Sequence, residues 1–341
     1  MNNRSHKFKQ YWLLGFCLLV LVMISVGGIT RLTKSGLSIV EWTPISGIIP
    51  PLTEEHWQEQ FYLYKQTPEY THVNSHFELS DYKQIFIWEY LHRVLGRVIF
   101  LFIVIPGFIL WRKKAVSGRL VLGLAVLVGI QGLIGWLMVK TGLNTRPHVS
   151  PFMLALHFST AVSVLLVGVS QYLKSSTRFQ LDMDVKQKGL FSAFGVLLAL
   201  QIFYGCLTSG LKAGVGYNTY PLMNGQFFPD DGLFFTPAWL NFFENPGTVQ
   251  WTHRWLGIIV TLSLLSCVAR MWKSPQWKEM QNSILFLVFV IICQVLLGIL
   301  NILWIVPVPL AAFHQFVAVI LVVSYFRIFF LLPGSQSKDL L

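Results

Sequence analysis

A chain of 341 residues that is 54% hydrophobic, only 12% charged and +0.58 in mean hydropathy is not a soluble globular domain, which carries about a quarter charged residues. Its formal charge of +11 raises nucleic acid as a partner, but the basic residues cluster in short loops between apolar segments, where they set membrane orientation, and no nucleic-acid role is expected. The four cysteines, Cys17, Cys206, Cys267 and Cys293, lie in apolar segments without C-x-x-C or C-x-x-C-H spacing. That removes a disulfide framework, a thiolate zinc site and c-type haem attachment.

Spanning a bilayer takes about 20 apolar residues per helix, and eight windows qualify. The first, 11–30, follows ten residues, too few for a mitochondrial transit peptide. Its "YWLLGFCLLVLVMISVGG" is too long for a signal h-region and lacks an A-x-A site, so it is read as a retained helix. A long segment, 31–90, leads to the second span, 91–111, which "EYLHRVLGR" opens. The third, 119–139, ends in "GLIGWLMVKTGL", and the fourth, 153–173, opens on "LALHFSTA". After a basic linker, 174–188, the fifth span, 189–209, ends in "GCLTSGLKAG". The segment 210–252 leads to the sixth span, 253–272, opened by "QWTHRWLGI". The seventh, 283–304, ends in "LLGILNILWIVP", and the eighth, 312–332, is entered through "LAAFHQFVA".

Arg4, Lys7, Lys9, Arg112, Lys113, Lys114, Arg119, Lys174, Arg178, Lys186, Lys188, Arg270, Lys273 and Lys278 all fall on one side of this arrangement. The positive-inside rule makes that side cytoplasmic, or matrix in a mitochondrion, with both termini on it and the two long segments outside. Trp42, Trp88, Trp136, Trp251 and Trp304 fall near the expected interfaces as an aromatic belt. The outer segments, with Pro44, Pro50, Pro51, Pro221 and Pro229, are expected to cap whatever lies beneath them.

Aligning the spans shows a repeat of four. The openings of spans two and six match, as do those of four and eight, and the ends of one and five and of three and seven. Because four is even, the halves share an orientation, unlike the inverted repeats of many transporters. The expected fold is an all-α polytopic membrane protein, with eight transmembrane helices as two tandem parallel four-helix bundles. Its parts are 1–173, a linker at 174–188, and 189–341.

Nine histidines are present, and five of them, His6, His56, His72, His76 and His148, fall outside the spans. His72 and His76 in "HVNSH" have the spacing of a metal pair, but nothing supplies further ligands, and a solvated loop explains them. His92, His157, His253 and His314 differ. They lie near the outer ends of the even spans, paired 65 residues apart in the first half and 61 in the second. Imidazoles inside a membrane are costly and mark functional sites. Interhelical hydrogen bonding is the structural alternative for any one; four matched by repeat and depth point to axial ligation of haem iron, two per half. Gly96 and Gly257, four residues after a histidine, leave room for a flat ring. Arg93 and Arg254 stand where haem propionates need cations, or where headgroups would anchor them.

The halves differ at one position. Three residues before the histidine the first half has Glu89 and the second Gln250. Glu89 shares a helix face with His92 and can exchange a proton, whereas Gln250 keeps only size and hydrogen bonding. One half then reacts and the other relays electrons, with Glu89 as the catalytic acid–base group. The alternative is an acid favoured by a helix N-terminus.

These residues resemble the haem A synthase family over nearly the whole chain. The resemblance is carried by "GGITRLTKSGLSIVEWTPISGIIPPL" (27–52), "EYLHRVLGR", "GWLMVKTGL", "GYNTYPLMNG" (216–225), "FFENPGTVQWTHR" (242–254) and "LAAFHQ". The first outer segment without cysteines resembles the proteobacterial and mitochondrial branch rather than the one with a cysteine pair there. The resemblance implies oxidation of a ring methyl of haem O to a formyl group, giving haem A for cytochrome oxidase. It implies that His253, His314 and Arg254 hold a resident haem b, that His92, His157 and Arg93 bind the substrate haem O, and that Glu89 assists the oxidation. Implied partners are haem O synthase, cytochrome oxidase assembly factors and membrane lipid; a homo-oligomer stays open. The implied site is the bacterial inner membrane, or alternatively the mitochondrial one. A non-catalytic di-haem b cytochrome serving quinone explains the histidines equally well but not the Glu89/Gln250 difference.

Overall fold

The structure, a computed structural model, describes residues 3–43, 46–145, 148–176, 183–274 and 277–332; Pro44 and Arg178 lie outside them. Among the described residues there are helices and no strand, only an isolated bridge between Met223 and Gln226. Eight helices are long and apolar enough to cross a membrane: α1 Asn3–Leu32, α4 Leu79–Arg112, α5 Gly118–Thr145, α6 Pro151–Ser176, α7 Val185–Gly210, α10 Pro246–Met271, α11 Trp277–Leu303 and α12 Val308–Phe330. Each covers one expected window. The others are short: α2 Glu54–Lys65, α3 Pro68–His72, α8 Ala213–Gly216 and α9 Asn241–Glu244. The chain divides into two compact units, Met1–Gly168 and Val169–Leu341.

In unit 1, α1 packs along α4, and α4 along α5. The approach is close because small residues face large ones: Gly15 meets the Phe102 ring, Gly107 meets Val121 and Trp12, and Gly168 of α6 meets Phe16. In unit 2, α7, α10, α11 and α12 pack as a closed ring. Its core is built from Phe191, Phe194, Leu198, Val260, Leu264, Ile284, Leu287, Val317 and Leu321. That core stops below the level of His253 and His314, where the lining residues become half-buried.

The main departure from the sequence expectation is α4, which starts at Leu79 rather than near 91. Glu78 N donates to Asp81 Oδ2 at 3.0 Å, closing its first turn, and the added turns bury Tyr82, Ile85, Phe86 and Glu89. Hydropathy could not see them, because this stretch is apolar on one face only. It packs beneath α2: the Tyr82 ring stacks on Phe61 and Tyr64 with centroids 5.2 Å away, and Trp57 meets Phe86 edge-on at 4.9 Å. Tyr64 donates to buried Glu69 and accepts from Asn74 Nδ2 at 2.8 Å. Burial pushes the Tyr64 hydroxyl well above its ordinary range, with the Glu69 charge adding to it. The long start also bears on Glu89: a helix dipole acts over the first turn, and Glu89 lies well beyond the first turn of α4, so a helix N-terminus does not account for an acid there. His72 closes α3, whereas His76 lies outside any helix.

The outer segment of unit 2 is organised by asparagines. Asn241, fully buried, accepts from Phe235 N at 2.9 Å and donates to Phe235 O at 2.8 Å. Asn245 caps α10, accepting from Gly247 N at 2.9 Å, and donates to Asp231 O at 2.6 Å. Thr248 donates to Gly232 O, and Tyr217 to Asp231. Burial, reinforced by that bond, pushes the Tyr217 hydroxyl up to about 12, so it stays a donor. Cys17, Cys206 and Cys267 are buried and Cys293 partly so, all unpaired.

Candidate functional site

Each of the four membrane histidines lies against a glycine of a neighbouring helix. A methyl placed on Gly27 of α1 would be 2.7 Å from His92 Cε1, and one on Gly135 of α5 would be 2.9 Å from His157 Cε1. In unit 2 the distances are 3.1 Å from Gly205 of α7 to His253 and 3.2 Å from Gly298 of α11 to His314. Any side chain there would push the ring away. These glycines, and not only Gly96 and Gly257, make the sites. A methyl on Gly96 would meet only the tip of Met23, at 3.5 Å, and one on Gly257 only the Gln201 amide, at 3.2 Å. The space beyond both is closed by flexible side chains rather than backbone.

Glutamines stand beside three of the four histidines. Gln131 Nε2 donates to the His157 carbonyl at 2.8 Å and lies 3.1 Å from Nδ1, while Thr160 donates to its Oε1 at 2.5 Å. Gln201 Nε2 donates to the His253 carbonyl at 3.1 Å, and Gln294 Nε2 lies 3.2 Å from His314 Nε2. The sequence reading missed all three. The signal was available as "QGLIG", "QIFYG" and "QVLLG", a Gln four residues before the glycine in three odd-numbered spans.

The sites contain polar atoms that the protein leaves unpaired. Nδ1 of His92, His253 and His314 is buried without a partner, as are Oε1 of Gln201 and Gln294 and Nε of Arg254. Such groups cost about 1–3 kcal/mol each unless something else satisfies them. Among the described residues no cluster of three or more His, Cys, Asp or Glu is formed, so a metal held by protein ligands alone has no donor set. Two imidazoles per unit, each against a glycine of a neighbouring helix, and buried polar atoms left without partners among the described residues fit a macrocycle that brings most of its own metal ligands.

Near the histidines, arginines grip the segment outside the spans: Arg93 in unit 1, with Arg97 Nη2 donating to Thr43 O at 2.9 Å beside it, and Arg254 in unit 2. Arg93 Nη1 donates to Glu41 O at 3.0 Å and Nη2 to Ile39 O at 2.8 Å. Arg254 Nη1 donates to Thr219 O at 2.8 Å and Nη2 to Tyr217 O at 2.7 Å. The residue one turn earlier completes each grip. Gln250, 1% exposed, donates to Tyr217 O at 3.0 Å. Glu89, 3% exposed, pairs with Arg93 through Oε1, at 3.1 Å from Nε and 2.6 Å from Nη2. Its Oε2 accepts from Ser38 Oγ at 2.7 Å and Ile39 N at 2.9 Å. Four hydrogen bonds to one carboxylate fix its direction. Glu89 is thus tied into the outer segment as well as being a neighbour of His92 on α4. That tie was not legible, since Ser38 and Ile39 are 50 residues away in the chain. Trp42 and Trp136 pack with centroids 5.5 Å away, and Trp251 donates to Phe227 O at 3.0 Å.

Comparison with known proteins adds an independent line. The family model described as cytochrome oxidase assembly protein matches residues 10–326. A protein of Parvibaculum lavamentivorans named "Heme A synthase" is 41% identical over 320 residues, covering 92% of this chain and 91% of its own length. The protein of that name in Brucella ovis is 36% identical over 324 residues, covering 94% and 90%, and the Brucella abortus protein gives the same figures.

Proposed function

This chain belongs to the cytochrome oxidase assembly protein family whose curated members are named heme A synthases, and on that premise we propose that it oxidises a ring methyl of haem O to the formyl group of haem A. It is an oxidoreductase of the membrane. Unit 1 binds the substrate haem through His92 and His157, and unit 2 holds a resident haem b through His253 and His314. Bound iron supplies the redox capacity of both sites. The protein's own part is to seat each macrocycle against glycine, supply imidazoles, and place one carboxylate.

The observation that carries this reading is the contrast between Glu89 and Gln250. Both residues sit three before a histidine and are buried; Glu89 joins Arg93 to Ser38 and Ile39, whereas Gln250 donates to the Tyr217 carbonyl that Arg254 also holds. Only Glu89 can take a proton. With water as the oxygen source, each of the two hydroxylations of the methyl carbon releases two protons and two electrons; the electrons pass to an external oxidant, Glu89 is the proton acceptor beside the site, and the hydrated aldehyde then loses water. The Glu89 carboxylate also faces positive charge developing on the ring edge. Arg93 serves the substrate site by aiming Glu89 and pinning residues 39–41. Arg254 keeps one buried donor, Nε, for a haem carboxylate in unit 2.

The chain is a multi-pass membrane protein. The bacterial sources of its relatives support a bacterial inner membrane, the loop charges support both termini on its cytoplasmic side, and haem O synthase and oxidase assembly factors are its proposed neighbours. A quinone-linked di-haem cytochrome accounts for four histidines and leaves Glu89 only its structural pairing with Arg93, Ser38 and Ile39. The test is Glu89→Gln, with haems extracted and identified. Loss of haem A with total haem retained is expected; unchanged haem A would overturn the assignment.

A further inference from the structure

The glutamine seen beside three histidines is missing from the fourth. In α5, α7 and α11 the residue four before the seat glycine is Gln131, Gln201 or Gln294; in α1, before Gly27, it is Met23. Among the described residues no side chain hydrogen-bonds the His92 ring, whose Nδ1 is buried and unpaired, and its seat is Gly27 alone. His157, its companion in unit 1, is the opposite case. Gln131 ties its backbone carbonyl to α5 and reaches its ring, and Thr160 locks the Gln131 amide from the other end.

This difference bears on which ligand gives way. An imidazole held only by packing loses a rotamer preference when it turns aside. One whose ring is itself hydrogen-bonded, as His157 Nδ1 is with Gln131 Nε2 at 3.1 Å, loses that bond as well, which shifts the equilibrium by up to about tenfold, while the bond to its backbone carbonyl is kept. In unit 2 a glutamine stands at both positions, Gln201 on the His253 carbonyl and Gln294 3.2 Å from His314 Nε2. A substrate that enters and leaves needs one ligand that lets go. Glu89, three residues before His92 on the same helix, stands on the side that opens.

We propose that His92 is the exchangeable ligand of the unit 1 haem and His157 the fixed one, with Met23 the positioning residue that leaves His92 unrestrained. This rests on the reading that unit 1 binds a haem. The test uses the purified full-length protein, reduced, with carbon monoxide as probe and haem counted by extraction. The wild type is expected to bind carbon monoxide at one haem. His92→Ala should keep both haems and bind carbon monoxide more tightly, whereas His157→Ala should lose the unit 1 haem while the unit 2 haem reports an intact fold. Met23→Gln, which supplies the missing amide, should weaken carbon monoxide binding about tenfold. Loss of haem in His92→Ala with retention in His157→Ala would overturn the proposal, as would a Met23→Gln protein indistinguishable from wild type. A wild-type protein loaded only through His253 and His314 would instead overturn the reading beneath it.

Discussion

Replacing Glu89 by alanine tests whether the carboxylate organises the outer segment as well as the chemistry. The change removes the acceptor of four hydrogen bonds: from Ser38 at 2.7 Å, Ile39 N at 2.9 Å, and Arg93 at 2.6 and 3.1 Å. Removing one partner of a buried ion pair costs about 3–5 kcal/mol, and an orphaned buried amide such as Ile39 N costs about 1–3 kcal/mol. Two features offset part of this. The Arg93 side chain is 18% exposed, and it keeps the carbonyls of Ile39 and Glu41. The expected loss is therefore about 4 kcal/mol for Glu89→Ala. Glu89→Gln retains an oxygen for either Arg93 or the Ser38–Ile39 pair but not both, and about 2 kcal/mol is expected. At about 2 °C per kcal/mol for a chain of this size, thermal unfolding followed by tryptophan fluorescence should fall by about 8 °C for alanine and about 4 °C for glutamine. An alanine protein as stable as wild type would refute the coupling between Glu89 and residues 38–41.

The glycine seats give a graded prediction. Substituting alanine at Gly135, Gly205 and Gly298, where methyl-to-imidazole distances are 2.9, 3.1 and 3.2 Å, should reduce haem content in that order, whereas Gly27→Ala, 2.7 Å from the exchangeable His92, should leave it in place. Gly135→Ala should empty unit 1 while unit 2 stays loaded; equal effects at all four would count against the seats. Asn245→Ala removes the α10 cap and a partner of Asp231, an expected loss of about 1–2 kcal/mol. It should raise proteolysis of the 217–245 segment without altering unit 1 haem.

What the sequence made legible depended on the range of the interaction. The eight spans follow from a property summed over about 20 residues, and windows and helices agree to within a turn or two except at α4. There the turn pairing Glu78 with Asp81 and the face carrying Tyr82, Ile85 and Phe86 lie in a stretch too polar on its other side for hydropathy to register. The repeat drew the eye to His92, His157, His253 and His314, because one unusual residue type recurred at matched positions. It did not draw the eye to Gln131, Gln201 and Gln294, since an amide in an apolar helix has many ordinary uses. Their meaning lies in which imidazole they reach. The Arg93 and Glu89 bonds to Ile39, Glu41 and Ser38 join parts of the chain no periodicity connects. The family motif "GGITRLTKSGLSIVEW" held both the Gly27 seat and the Glu89 partner Ser38, yet nothing in its composition marked either.

The most direct test of the central claim is to extract the haems from the purified protein, identify each by chromatography, and record the reduced-minus-oxidised spectrum beside them. Haem b together with haem O or haem A, at up to one macrocycle per unit, is the expected result. Haem b alone in both units would contradict the synthase reading in favour of an electron-transfer cytochrome, and a protein free of haem would contradict the role given to all four histidines.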